Sequence, residues 1–271
     1  MNRIYLFLIV IIAVSCGNQK TEKKETKTAP PEPEKTTPTT TIPKVDTLNS
    51  LTQLEATTTT TFFHAPNNTV YEVEMMDQGP EETEMAAAAT LNCSTDNFSG
   101  NDRKACKLSL VNAGAENFTS LNSFLQSLKP DAQMMANPAI KKDANNKRVA
   151  AEKRNVKVTN VFIFAIKRES DNDYHIIIGD NNKTFFNIEC SGFPAPQASS
   201  SATLKKVRKQ IEDFFGELCS TKYSTFKPGI KVEITGSLFY DIDHKPGVVG
   251  PEGFRPKTAW EIHPISNVVF K

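Results

Sequence analysis

The order of the apolar segments between Val156 and Val269 constrains the fold of this chain more than any other feature. Val156, Val158, Val161, Phe162, Phe164 and Ile166 form a β-branched and aromatic run that predicts one long strand. Tyr174–Ile178 predicts a second strand, closed by the turn sequence Gly179-Asp180-Asn181-Asn182, and Thr184–Cys190 predicts a third. After a loop with two prolines, Leu204, Val207, Ile211, Phe214, Phe215 and Leu218 recur at helical spacing, with Lys205, Lys206, Arg208 and Lys209 assigned to the outer face. Following Pro228-Gly229, Ile230–Phe239 predicts a fourth strand, residues 241–259 a Gly- and Pro-rich loop, and Trp260–Val269 the last strand. Three strands, a helix and two strands is the element order of a five-stranded OB-like barrel, so residues 154–271 are expected to form a mostly β domain of the α+β class, with one helix between strands three and four.

The N-terminus reads differently. Arg3 precedes the apolar stretch Ile4–Val14, which is too short to span a bilayer, and Ala13-Val14-Ser15 leads into Cys16. This layout resembles a bacterial lipoprotein signal. The resemblance implies removal of residues 1–15, acylation of Cys16 and anchoring of the mature chain to a membrane of the bacterial cell envelope by its lipid. Residues 16–61 are almost wholly Lys, Glu, Thr and Pro, a composition that cannot bury enough apolar area to offset chain entropy, so they are expected to be a disordered tether. Its reach is between roughly 40 Å as a coil and roughly 140 Å if extended. With 38% hydrophobic residues over 271 positions, about 180–200 residues remain to build one core. The formal charge of +1 supplies no global field to recruit nucleic acid.

Residues 62–153 are expected to be a partly ordered, helical N-terminal region. Thr69–Glu74 alternates like a short strand before the break at Gln78-Gly79-Pro80. Phe118, Leu121, Phe124, Leu125 and Leu128 follow helical spacing, with Thr119 as N-cap and Pro130 as stop, and a polar helix is expected from Pro138 to about Lys153.

Apart from Cys16, four cysteines remain: Cys93, Cys106, Cys190 and Cys219. In a secreted chain they point to two disulfides with three possible connectivities, of which locality favours Cys93–Cys106 and Cys190–Cys219. A four-cysteine metal site lacks any C-x-x-C pair to support it.

Three of the four histidines stand beside carboxylates: Asp171 and Asp173 with His175, Asp241 and Asp243 with His244, and Glu261 with His263. Residues two apart on a strand share a face, so each group presents an imidazole and a carboxylate together, which is what a divalent metal or an acid–base pair requires. The first two groups fall in the loops with which OB-type barrels contact ligands. No G-x-S-x-G element, P-loop, H-E-x-x-H or EF-hand spacing is present. A basic helix face together with Tyr174, Phe185 and Phe186 is the feature that would suit nucleic acid, but Glu212, Asp213 and Glu217 dilute its charge, and nucleic acid is not expected as a partner.

The stretch Thr235-Gly236-Ser237-Leu238-Phe239-Tyr240-Asp241, continuing through His244 to Thr258-Ala259-Trp260-Glu261-Ile262-His263-Pro264-Ile265, resembles a motif of uncharacterised secreted bacterial OB-like domains, with Asp171–His175 matching an earlier acidic segment. The resemblance covers about residues 150–271 and implies that the three acid–histidine groups belong to one shared pattern. The expected function is a non-enzymatic binding or interaction module without a cofactor. Its ligand, an envelope protein or small molecule, would meet the loops around Asp171–Tyr174 and Asp241–Trp260, with Trp260 as a contact anchor. The alternative is a metal-dependent hydrolase using Asp173, His175, Asp241, Asp243, His244, Glu261 and His263.

Overall fold

A computed structural model describes residues 61–77 and 91–271. The signal segment 1–15, Cys16, the tether up to residue 60 and the Gln78–Glu82 break lie outside the described residues. Thirteen elements follow in order. β1 (Thr61–His64) and β2 (Val70–Met76) form a hairpin. Short helix α1 (Lys104–Lys107), β3 (Ala115–Phe118), α2 (Leu121–Gln126), α3 (Asp131–Met135) and a 3-10 turn (Ala150–Glu152) come next. They are followed by β4 (Asn155–Arg168), β5 (Tyr174–Gly179), β6 (Phe185–Cys190), α4 (Ser201–Phe215), β7 (Tyr223–Tyr240) and β8 (Trp260–Phe270).

The strands form one eight-stranded mixed sheet in the order β1-β2-β7-β8-β6-β5-β4-β3, with β7 also paired to β4. That extra pairing joins β4, β5, β6, β8 and β7 into a ring of neighbours, antiparallel except for β6–β8. The long strands reach both partners because they bend. The β4–β7 register shifts between Val158 and Val161, where Asn160 takes φ 55, a conformation asparagine tolerates better than most residues. On β7, a side chain at Gly236 would bring a Cβ within 2.5 Å of Ile262 Cγ2 and 2.6 Å of the Pro264 carbonyl, so β8 can cross closely only over glycine.

Most apolar residues of the strands meet in one main core, and Ala165, Ile177 and Tyr223 form a second, smaller cluster. Ile176 and Ile178 of β5, Phe186 and Ile188 of β6, Ile234 and Leu238 of β7 and Ile262 of β8 are buried in the main core, each worth about 1.5–3 kcal/mol of transfer free energy. Helix α4 adds Val207, Ile211 and Phe214, and Phe124 of α2 stacks edge-on against Phe186 at 5.0 Å. No helix among the described residues is long and apolar enough to cross a membrane.

Several details depart from the sequence expectations. Ser120, not Thr119, caps α2, its hydroxyl accepting from the Ser123 N–H at 3.2 Å. The expected helix from Pro138 to Lys153 does not form beyond the 3-10 turn at its end. Asp143 accepts from the Asn145 N–H at 2.8 Å and Asn146 donates to the Ala139 carbonyl at 2.9 Å, so the polar side chains close turns on the backbone and compete with helix. Strand β7 starts at Tyr223, because residues 223–227 pair with β2, and Pro228-Gly229 lies within the strand instead of before it. The region 62–153 contributes three strands as well as short helices, with β2 laid on β7 and β3 on β4. Arg208, assigned to the outer face of its helix, is buried, with its guanidinium 3.9 Å from the Tyr174 ring centroid and donating to the Asn172 carbonyl.

The cysteine pairing is also corrected. Cys93 is bonded to Cys219, whereas Cys106 and Cys190 are free and buried. Cys190 sits on the core face of β6, and the Cys106 thiol donates to the Asn146 carbonyl at 2.9 Å. Sequence proximity was a poor guide because the segment carrying Cys93 returns to the chain just after α4.

Candidate functional site

The faces of β5, β6 and β8 that turn away from the main core carry a polar group beside a small apolar cluster of Ala165, Ile177 and Tyr223. Since Ile176, Ile188, Cys190 and Ile262 point inward, His175, Asn187, Glu189, Glu261 and His263 point to the other side. Antiparallel register sets His175 opposite Glu189, and parallel register sets Asn187 beside Glu261, so His263, two residues on, falls beside Glu189. Glu189 therefore lies between two imidazoles. Its Oε1 is 3.1 Å from His175 Nδ1, and its Oε2 is 2.8 Å from His263 Nδ1.

Loops complete the group. The turn before β5 brings Asp173, whose Oδ2 is 3.2 Å from His263 Nε2 and whose Oδ1 accepts from the Gly192 N–H at 2.6 Å. Glu169, in the same turn, lies 3.5 Å from His175 Nδ1. The loop after β7 brings His244 Nδ1 to 2.6 Å from Glu261 Oε1, and Asp241 to 3.7 Å from the Lys107 ammonium at the end of α1. Asp173, His175, Glu189, Glu261 and His263 are all 0% exposed, so the centre of the group is closed to solvent.

Three sets of side chains offer donor atoms within 4.8 Å of one another: Asp173, Glu189 and His263; His175, Glu189 and His244; and Asp241, His244 and Glu261. Glu189 and His244 each belong to two sets. His263 carries the clearest signal. The Ser191 hydroxyl donates to the Lys107 carbonyl at 2.7 Å, so it can only accept from His263 Nε2, 3.1 Å away, and that nitrogen holds a proton. The other nitrogen, Nδ1, faces Glu189 Oε2 at 2.8 Å and Glu261 Oε2 at 3.5 Å. Although these separations are within reach, neither oxygen is aligned for a hydrogen bond, and Nδ1, Glu189 Oε2, Glu261 Oε2 and Asp173 Oδ2 are buried polar atoms without one. An imidazole nitrogen between two carboxylates must either carry a second proton or share a cation with them.

The charge balance points the same way. Among the described residues, Glu169, Asp171, Asp173, Glu189, Asp241 and Glu261 surround two ammonium groups, those of Lys107 and Lys167, and His175, which burial would lower but Glu169 and Glu189 raise. Burial resists a charge on His263, but Glu189 and Asp173 outweigh it and raise the imidazole well above its usual range. Burial resists protonation of His244 too, yet Asp241 and Glu261 lift it to about 10. Burial alone would raise Glu189; the facing His263 and His175 instead hold it well below the ordinary carboxylate range. Asp171 moves the opposite way, raised by burial and by Asp173, and burial raises Asp173 against the pull of His263. Two aspartates held toward neutrality beside protonated imidazoles describe a site with more negative charge than its lysines balance.

Not every residue singled out in the sequence joins this group. Asp173, His175, Asp241, His244, Glu261 and His263 converge. Asp171 sits at the edge, accepting from the Asp173 N–H at 3.2 Å. Asp243 turns outward and pairs with Lys142. Trp260 is not a surface anchor: it is buried on the core side of β8, edge-on to Tyr240, with its indole N–H donating to the Lys129 carbonyl at 2.8 Å. Sequence patterning did not single out Glu189, Glu169, Lys107, Asn187 or Ser191. Glu189 was recoverable, because the turn at Asp180–Asn182 implies a hairpin in which His175 and Glu189 stand opposite each other. Lys107 and Ser191 carry no such signal.

No protein-family model matches this chain, no curated protein matches its sequence, and no solved structure matches its fold.

Proposed function

We propose that this chain is a membrane-anchored lipoprotein of the bacterial cell envelope whose folded part is a divalent-cation-binding module. The anchor rests on the signal-like segment before Cys16 and on the Lys/Glu/Thr/Pro composition that follows it. For architecture, we read the cycle β4-β5-β6-β8-β7 as an OB-like five-stranded barrel: its first, second, third, fifth and fourth strands are neighbours in that order, and α4 connects the third to the fourth. The acid–histidine group then occupies the outer face of strands two, three and five, beneath the loops that OB-type barrels use for ligands.

The observation that carries the cation reading is His263 Nδ1 set between Glu189 and Glu261 without an aligned hydrogen bond to either. Mixed imidazole and carboxylate donors suit zinc, manganese or ferrous ions better than calcium or magnesium. A divalent ion would take the place of the protons that the carboxylates hold on the imidazoles in its absence, releasing them as it binds. Asp173 and Asn187 would orient the histidine rings around it. Convergence of six of the predicted side chains also favours the hydrolase reading. Burial of Asp173, His175, Glu189, Glu261 and His263 weighs against it, since hydrolysis needs an open coordination position and a path for substrate.

The test uses the full chain carrying Cys16→Ser, purified without chelator, with metal content measured by mass spectrometry and zinc and manganese titrated calorimetrically in two buffers of different ionisation enthalpy. Stoichiometric binding with proton release, lost in Glu189→Gln, is expected. Absence of both metal and heat overturns the cation reading. Metal-dependent turnover of a chromogenic phosphodiester would replace it with the hydrolase. Separately, incorporation of radiolabelled palmitate into the wild-type chain but not into Cys16→Ser tests the anchor.

A further inference from the structure

A cavity of about 470 Å³ opens at the turn end of the β5–β6 hairpin, between the α2–α3 junction and the segment leading into β8. Its residues are separate from those of the acid–histidine group. Leu125, Leu128, Phe185 and Trp260 line its apolar part. Trp260 is 1% exposed, with its indole N–H donating to the Lys129 carbonyl, so it closes the floor of the cavity and leaves Leu125, Leu128 and Phe185 as the accessible apolar surface. The volume falls within the range of small-molecule sites.

The polar part is strongly one-signed. Lys129, Lys183, Arg255 and Lys257 lie around the cavity, and none pairs with a carboxylate among the described residues. Arg255 donates from Nε to the Gly250 carbonyl at 3.2 Å, leaving its charge uncompensated. The one acidic group in the lining, Asp131, is already engaged by the segment leading into β8: it accepts from the Ala259 N–H at 2.7 Å and from the Thr258 hydroxyl at 2.9 Å. Four cations against one engaged carboxylate is a local excess that the chain as a whole, at +1, does not share. Cationic groups around a concave apolar surface focus a positive potential into it.

We propose that this cavity binds a small amphipathic anion: an apolar aliphatic or aromatic body seated against Leu125, Leu128 and Phe185, with a carboxylate or phosphate head met by the surrounding lysines and Arg255. The body supplies affinity through buried apolar area. The head supplies orientation and discrimination against neutral molecules of the same shape.

Trp260 is the only tryptophan in the chain and lies at the floor of this cavity, so a probe seated there must quench its emission by energy transfer. The full chain carrying Cys16→Ser is titrated with anilinonaphthalene sulfonate, an anionic aromatic probe, and energy transfer from Trp260 is followed. Decanoate, decyl phosphate and the neutral decanol then compete with the probe. Saturable transfer is expected, displaced by the two anions but only weakly by decanol, and the stronger of the two anions identifies the head group. A Lys129→Ala/Lys183→Ala/Lys257→Ala variant changes only exposed side chains and leaves the fold intact. It is expected to weaken anion binding about tenfold, equivalent to about 1.4 kcal/mol, without changing the competition by decanol. Probe binding without transfer from Trp260, equal displacement by decanol and decanoate, or unchanged affinity in the triple variant would each overturn the proposal.

Discussion

Replacing Glu152 with alanine removes the buried anion that fixes α1 over the polar face of the sheet. Arg103, at the start of α1, is 2% exposed and meets the fully buried Glu152 through two parallel contacts, Nη1 to Oε1 at 2.7 Å and Nη2 to Oε2 at 2.9 Å. The same carboxylate accepts from the N–H groups of Val149 and Tyr240. Arg103 also donates to the Tyr240 carbonyl, and its guanidinium lies 4.7 Å from the Phe239 ring centroid. Deleting one member of such a pair leaves a buried charge uncompensated, at a cost of about 3–5 kcal/mol. The two N–H groups add about 1–3 kcal/mol each if they stay dry, but the space left by the side chain admits water that offsets most of this. A net loss of about 4 kcal/mol is expected for Glu152→Ala, leaving a folded protein whose urea midpoint falls by about 1.5 M. Unfolding followed by Trp260 fluorescence and by far-UV circular dichroism gives the value, and coincident transitions license a two-state treatment. In a cycle with Arg103→Met, the double variant Arg103→Met/Glu152→Ala should lose at least about 2 kcal/mol less than the sum of the single changes, because neither leaves a lone charge for the other. A loss below about 1 kcal/mol for Glu152→Ala, or strict additivity in the cycle, would refute the reasoning. Because α1 also carries Lys107 to Asp241, Glu152→Ala should expose the acid–histidine group to solvent exchange as well.

Three further outcomes are expected. Reduction of Cys93–Cys219, which closes a loop of 126 residues, should lower stability by about 3–5 kcal/mol in urea, whereas alkylation of the native Cys16→Ser chain should find neither Cys106 nor Cys190 until it unfolds. Glu233 is held at about 2 by hydrogen bonds from Lys157 and then Lys271; its folded value lies below the unfolded value of 4.5, so its stabilisation is complete above that pH and lost as pH falls toward 2. Glu233→Gln should flatten acid unfolding over that window, with an effect that fades at high salt because the group is exposed. Chelation at neutral pH should lower the melting temperature of the metal-loaded wild-type chain and leave that of Glu189→Gln unchanged, measured by differential scanning calorimetry.

Strand and helix order from β4 to β8 was legible because each segment is long, strongly periodic and bounded by clear turn residues. Local reading failed where polar side chains competed with periodicity, as in residues 138–153, and where a strand's second half finds its partner far away. Residues 223–227 are strand only because β2 lies beside them. The candidate site was half legible. His175, His244, His263 and the neighbouring Asp173, Asp241 and Glu261 could be named because two-residue spacing puts side chains on one strand face.

By itself, then, the sequence determined which residues have chemistry to offer, the order of strands and helix from residue 155 onward, and the charge and composition of the N-terminal segment. Only the tertiary structure decided which of those groups meet. The parallel β6–β8 contact sets His263 beside Glu189, α1 brings Lys107 over Asp241, Asp243 turns out to Lys142, and Cys93 bonds to Cys219 instead of a nearer partner. Each of these joins segments distant in the chain. Local spacing says which way a side chain faces along its own strand, while packing of the shared core selects its neighbour across strands.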